Sequence, residues 1–244
     1  MAAEIIVVEN PAALHRAGAD EFSRCAREAI SARGRFTVAV SGGSTPQGTY
    51  ALLAEYEKDP AKRLPWDKIH VFFSDDRHVP PTDKDSNFRA ANESLLSKIS
   101  VPQQNVHRIL TELEANEAAA RYEKDLQNFF QPAASNWPGF DLIMLGMGPD
   151  GHTASLFPGS AALNENSRWV VANWVEKLKT WRITFTFPLI NHAAEILFLV
   201  AGEDKSQVLK EVLQGKPGVY PCQRVKPING RLLWIIDKAA AKLL

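Results

Sequence analysis

A histidine set in a glycine-dense turn directly behind an apolar strand is the feature of this 244-residue chain most able to do chemistry. Residues 141–159 read DLIMLGMGPDGHTASLFPG: residues 142–145 have the pattern of a short buried strand, and Gly146, Gly148 and Gly151 let the backbone bend tightly behind it. Asp150 and His152 are thereby expected at the carboxyl end of a strand, the edge where open α/β sheets hold ligands. An imidazole, with an ordinary pKa of about 6.5, is suited to take and return a proton near neutral pH. The plainer alternative is a tight strand-to-helix turn that happens to carry a surface histidine.

Two further loops weigh against that alternative. Ser41, Gly42, Gly43, Ser44 and Thr45 lie between an apolar strand and a helix opened by Pro46, so backbone N–H groups and the positive end of the helix dipole are offered to an anion. Neither G-x-x-x-x-G-K-[ST] nor G-x-G-x-x-G is present, which favours a small phosphorylated metabolite over a nucleotide. The third loop holds Asp75, Asp76, Arg77, His78 and, further on, Arg89. A charged stretch of this kind is commonly a solvated crossing. Three polar loops that each follow a strand nevertheless share one edge of a parallel sheet, and together they supply an anion cradle, arginines and a proton-transfer group.

The elements that must position these loops alternate. Strands are predicted at 5–8, 36–40, 69–73 and 142–145, then at 169–175, 182–187, 196–200 and 232–236. Helices are predicted from Asn10 and Pro11 to about Arg33, from Pro46 to Glu57, through Leu95 and Leu96 behind a Ser86 or Asn87 cap, and on to Phe130 behind a Thr111–Glu114 capping box. Another spans 204–213, and a short terminal helix starts at Asp237. The pattern predicts an α/β fold, a mostly parallel, doubly wound (Rossmann-like) sheet with helices on both faces, with room for a small extra lobe. One domain over residues 1–244 is expected, and the proline-rich stretches at 64–66, 131–138 and 215–227 read as loops.

Bulk properties bound the partners. Twenty-eight basic residues balance twenty-eight acidic ones, so no global field favours nucleic acid or an anionic membrane. No stretch approaches the roughly 18 apolar residues of a membrane span, and the start resembles no secretory signal. A cytoplasmic protein is expected, acting on a small molecule, without nucleic acid or membrane, and as a monomer. Cys25 and Cys222 form no CxxC pair, and His15, His70, His107 and His192 lack ligand spacing, so no metal is expected. Trp169, Trp174, Trp181 and Trp234 are expected to pack in the core.

The segments VAVSGGSTP (38–46), FSDDRHVP (73–80), SNFR (86–89) and LGMGPDGHTASLFPG (145–159), with NGRLLWIID (229–237), resemble the 6-phosphogluconolactonases, within the wider family that includes glucosamine-6-phosphate isomerases and deaminases. The resemblance implies hydrolysis of 6-phospho-D-glucono-1,5-lactone, in the pentose phosphate pathway, with no metal and no cofactor. The deaminase branch is similar to DGHIAFNEP in the last motif and to DEY in the second; this chain has Phe157 and Arg77 at the diagnostic positions, which favours the lactonase branch. The branch's usual SPKPP stretch is absent before Arg182, and counting back matches its lysine to Lys177, with Lys179 close enough to compete.

These readings assign His152 as general base. Asp150 is a candidate partner for it, though which group orients the imidazole stays open, and Asp75 is the runner-up for a polar role near the sugar. Gly42, Gly43, Ser44, Thr45, Arg77 and Lys177 would bind the substrate phosphate, with Arg89 and Arg182 in reserve. The N–H groups of Gly146, Met147 and Gly148 are candidates for an oxyanion site. The competing functions are a sugar-phosphate isomerase or deaminase and a non-catalytic sugar-phosphate-binding regulator.

Overall fold

Strands covered on both faces must be almost wholly apolar, and three segments meet that demand: Phe36–Val40, Leu142–Leu145 and Glu195–Val200 are buried at every position. The structure, a computed structural model, describes residues 3–132 and 137–244. In chain order the elements are β1 (Glu4–Val8), α1 (Pro11–Arg33), β2 (Phe36–Val40), α2 (Ser44–Tyr56), β3 (Ile69–Phe73), β4 (Asp75–Arg77), α3 (Asn87–Ser94) and β5 (Val106–His107). There follow α4 (Ala115–Phe130), β6 (Leu142–Leu145), β7 (Val170–Val175), β8 (Thr180–Phe185), α5 (Phe187–Asn191), β9 (Glu195–Val200), α6 (Ser206–Gln214) and β10 (Arg231–Asp237).

Seven strands form one sheet in the order β1-β10-β9-β6-β2-β3-β5, parallel throughout, as alternating strands and helices predict. The remaining three form a separate antiparallel sheet, β4-β8-β7, which was foreseen only as a possible small lobe. Ser74 is the branch point. Its N–H donates to the Val40 carbonyl at 2.9 Å, while its own carbonyl accepts from Phe185 N–H at 2.8 Å. The chain therefore leaves the parallel sheet there, and Asp75–Arg77 run over its carboxyl edge.

Side-chain caps fix three of the six helix starts among the described residues. Asn10 accepts from Ala13 N–H at 3.0 Å and Ser86 from Arg89 N–H at 3.2 Å. Helix α4 departs from expectation: Glu114 caps it, accepting from the Asn116 and Glu117 N–H groups, and Thr111 lies in the turn before. Pro188 opens the short helix α5 and does not end a strand. No terminal helix follows Asp237 among the described residues; its carboxylate instead accepts from Ala240 N–H at 2.7 Å and Gly202 N–H at 3.1 Å, and the chain finishes in turns. Trp169 and Trp234 are buried, whereas Trp174 is 39% exposed because it lies on the outer face of the antiparallel hairpin. Of the loop expected at 131–138, residues 133–136 lie outside the described residues.

At the edge opposite the glycine loops, the starts of β1, β9 and β10 bring Glu4, Glu195 and Arg231 together, and α1 adds Glu21, Arg24 and Cys25. Arg24 pairs with Glu21 at 2.8 Å and Glu195 at 2.6 Å, and Arg231 pairs with Glu4 and Glu21. Glu21, Cys25 and Glu195 are the one trio of metal-capable groups that converges among the described residues, but both carboxylates are already engaged by arginines. Burial, then the facing Glu21, pushes the Glu195 carboxyl up to about 7. Burial opposes the ionisation of Glu21 too, yet Arg24 and Arg231 hold its carboxyl below the usual range.

A carboxyl whose folded-state pKa is raised stabilises most below its unfolded pKa, about 4.3. That contribution is lost as pH rises through about 7. Thermal unfolding is therefore expected to show Tm falling between roughly pH 5 and 8, with a flatter profile for Glu195→Gln, which keeps a neutral donor facing Glu21. Equal slopes in the two proteins would remove this carboxyl as the cause.

Candidate active site

The turn after β6 is built around the imidazole. Gly148 N–H donates to the His152 carbonyl at 2.8 Å and Gly151 N–H to the Gly148 carbonyl at 3.0 Å. Gly151 sits at φ +68°, a region costly for side chains with a Cβ, and a Cβ on Gly148 would fall 2.0 Å from His152 Nδ1. Glycine at 148 thus leaves the volume that the imidazole occupies. His152 Nδ1 lies 2.5 Å from Asp150 Oδ1, and Lys177 Nζ donates to the other carboxylate oxygen. Burial alone would raise the Asp150 carboxyl, but the bonds from His152 and Lys177 outweigh it and hold Asp150 well below the usual carboxylate range. An ionised Asp150 fixes the proton on Nδ1 and leaves the Nε2 lone pair free. The Phe157 ring stacks on the imidazole at 4.0 Å.

The anion loop is shaped as its residue types suggest. The Tyr50 hydroxyl pins Ser41, accepting from its N–H at 3.0 Å and donating to its carbonyl at 2.9 Å. Gly42 must be glycine because a Cβ would lie 1.8 Å from Oδ1 of the buried Asn87, whose Nδ2 donates to the Asp75 carbonyl at 2.9 Å. Gly43, at φ +104°, precedes α2, and no side chain caps that helix. Its first N–H groups, at Ser44 and Thr45, are left to serve an anion.

Strand β4 divides the acidic pair by its period of two. Asp75 and Arg77 face the cleft. Asp76 points the other way and accepts from the N–H groups of Arg77, Asn87 and Phe88 at 2.7, 2.7 and 3.1 Å. Burial pushes the Asp76 carboxyl up to about 6 even against those three donors, so it is a buried anchor for the start of α3. Asp75 accepts from Ser155 Oγ at 2.7 Å. Register places Arg182 directly opposite Arg77. The Nε atoms of both are buried without a hydrogen-bond partner, and burial together with Arg77 lowers the Arg182 pKa. Two guanidiniums side by side strengthen the field toward any anion in front of them.

The three loops meet in one cleft of about 210 Å³. Gly42, Gly43, Ser44, Thr45, Asp75 and Arg77 line it, as do Gly146, Met147, Gly148 and His152. Other expected residues lie elsewhere. Asp150 stands behind the imidazole, and Lys177 reaches it from the β7–β8 hairpin without lining the cleft. Lys179 pairs with Glu176 in solvent. Arg89 is bound to Glu93 at 2.7 Å and to the Thr82 carbonyl at 2.9 Å, beside a separate hollow with Gln47 and Lys84. Arg182 sits behind Arg77 and does not line the cleft. Gly148 has spent its N–H on the turn, which leaves two of the three oxyanion candidates.

Lys205 lines the cleft and was missed. The only signal was positional. It follows β9 in a fourth strand-to-helix loop on the same sheet edge, just before α6. Asn87 and Ser155 were missed too, since their roles are to hold the Gly42 loop and Asp75.

Residues 9–234 match the family described as glucosamine-6-phosphate isomerases/6-phosphogluconolactonase. The chain belongs to this family. Among family relatives, a 6-phosphogluconolactonase of a Nostoc species is 44% identical over 216 residues, covering 87% of this chain and 86% of that one. One from Haemophilus influenzae is 39% identical over 211 residues, 85% of this chain and 87% of its own. The solved 6-phosphogluconolactonase of Trypanosoma cruzi superposes with a TM-score of 0.86 at 29% identity, covering 100% of this chain and 98% of that one. A monomeric glucosamine-6-phosphate deaminase superposes at 0.83 with 18% identity, over 99% of this chain and 100% of that one, a likeness of fold alone. The family description itself spans two activities, so the fold alone does not choose between them.

Proposed function

We propose that this chain is a 6-phosphogluconolactonase, hydrolysing 6-phospho-D-glucono-1,5-lactone to 6-phospho-D-gluconate in the pentose phosphate pathway. The observation that carries this reading is a single cleft in which a carboxylate-braced imidazole faces an uncapped helix start flanked by Arg77 and Lys205. The phosphate lies against the N–H groups of Ser44 and Thr45, with Arg77 and Lys205 supplying positive charge.

His152 Nε2 takes a proton from water as the water oxygen bonds to C1. The C1 carbonyl becomes an oxyanion, received by backbone N–H groups of the turn, where Gly146 and Met147 remain. As the oxyanion collapses, the bond from C1 to the ring oxygen breaks, and the imidazolium returns the proton to that oxygen. Water is the sole co-reactant, so the balance requires neither cofactor nor metal. Asp75, fixed by Ser155, is placed to bind a sugar hydroxyl.

Every group named comes from one chain, so a monomer suffices. No helix among the described residues is long and apolar enough to cross a membrane. A phosphorylated lactone does not cross membranes unaided, which puts the enzyme where its substrate is made, in the cytoplasm. Phe157 offers no proton-transfer group beside His152, which speaks against amino-sugar isomerisation.

The deciding experiment follows 6-phosphogluconate formation by a coupled assay, with spontaneous hydrolysis subtracted, beside ammonia release from glucosamine 6-phosphate. Lactone turnover without ammonia release is expected. Ammonia release would transfer the chain to the deaminase branch, and binding without either reaction would make it a sugar-phosphate sensor.

A further inference from the structure

We infer that Lys177, at the tip of the β7–β8 hairpin, is a positioning residue that acts on the base His152 through Asp150 and Phe157 and does not bind the substrate phosphate. The inference rests on the lactonase reading only in taking His152 as the base. Two contacts carry it. Lys177 Nζ donates to Asp150 Oδ2, the oxygen not used by the imidazole. The same ammonium stands 4.9 Å from the centre of the Phe157 ring, which itself stacks on His152 at 4.0 Å. One cation thus touches both groups that hold the imidazole, and neither contact is with a residue of the anion loop.

The hairpin explains how it arrives there. Strands β7 and β8 pair through Val175 and Thr180, and Lys179 takes a left-handed conformation at φ +50° to close the turn. The neighbouring lysines then part: Lys177 reaches Asp150, whereas Lys179 turns to Glu176 in solvent. Cross-hairpin pairing of Asn173 with Arg182, and the bond from Asn173 Nδ2 to the Ser155 carbonyl at 2.8 Å, tie the hairpin to the segment that follows His152. Lys177 is consequently delivered by a braced element.

The charged and titratable groups around the imidazole are Asp150 on its own turn, Lys177 on the hairpin, and Asp75, Arg77 and Lys205 across the cleft, with the Cys222 thiol behind its backbone carbonyl. Lys177 and the imidazole share Asp150, one on each carboxylate oxygen, and the ammonium keeps the carboxylate turned for the Nδ1 bond. The anion site is complete without it, since Arg77 and Lys205 already line that end of the cleft.

The test uses Lys177→Met and Lys177→Arg. In the Met variant the acid limb of the kcat/KM profile is expected to move to higher pH by about half a unit, because the Asp150–His152 pair loses a cation that is half-exposed. Plateau kcat should fall roughly tenfold as the imidazole loosens, with KM for the phosphorylated lactone unchanged, and the Arg variant should restore most of both. Titration of the His152 ring C–H resonances in the substrate-free protein should show the same displacement. That reading requires no turnover, so it decides the role of Lys177 even if the lactonase assignment fails. A rise in KM with the pH profile unmoved would return Lys177 to phosphate binding and overturn the proposal. A variant indistinguishable from the parent would reduce the contact to a solvated ion pair and overturn it as well.

Discussion

Replacing His152 by alanine is expected to lower kcat by about 10² to 10⁴ and to change KM by less than about threefold. In the proposed pose the imidazole meets only the reacting end of the lactone, and binding energy comes from the opposite end of the cleft, where Ser44, Thr45, Arg77 and Lys205 line it. Substitution also leaves Asp150 with Lys177 as its partner, so the turn keeps one of its two ionic anchors. The Gly148 N–H bond to the residue-152 carbonyl is a backbone contact and survives the change. A folded variant with intact KM is therefore the anticipated product, and initial rates under saturating lactone measure the effect. Turnover within about threefold of the parent would relocate the base, with Asp75 the next group to examine.

The Arg77→Ala variant is expected to fail differently. Hydrogen bonds to charged groups contribute about 1.5–3 kcal/mol, so KM for the phosphorylated lactone should rise roughly 10- to 100-fold with kcat reduced much less. An unphosphorylated lactone provides the control, since its already weak hydrolysis should change little. Arg77 has a second attachment that makes this control necessary: its Nη1 donates to the Asp85 carbonyl at 2.5 Å and steadies the loop before α3. Equal losses on both lactones would assign Arg77 to that loop and withdraw it from the phosphate.

Much of the site was legible because the signals are local. Glycines at 42 and 43 ahead of Pro46 announce a close-approach loop and a helix start, and the structure shows why 42 cannot bear a side chain: Asn87 fills that space. The apolar runs before Ser41, Ser74 and Gly146 announce parallel strands, and parallel strands put the loops that follow them on one edge. His152 could be singled out for that reason. Arg89 misled because its motif lies beside that of Arg77 in sequence, yet α3 turns its side chain toward Glu93 and Thr82. Lys205 escaped notice because a lone lysine ahead of a helix has no local mark, and it becomes meaningful only once β9 is seen to lie beside β6.

The sequence by itself determined most of the order of strands and helices and the sheet edge on which the glycine loops meet, since short-range periodicity, caps and glycine turns encode these within a few residues. Tertiary structure alone decided which cations reach the cleft and which carboxylate braces the imidazole. Asp150 meets His152 only because Gly151 adopts φ +68°, and Lys177 meets Asp150 only because a separate antiparallel sheet closes over the turn. Long side chains can reach in many directions, so their partners are set by packing between distant segments and not by neighbours along the chain.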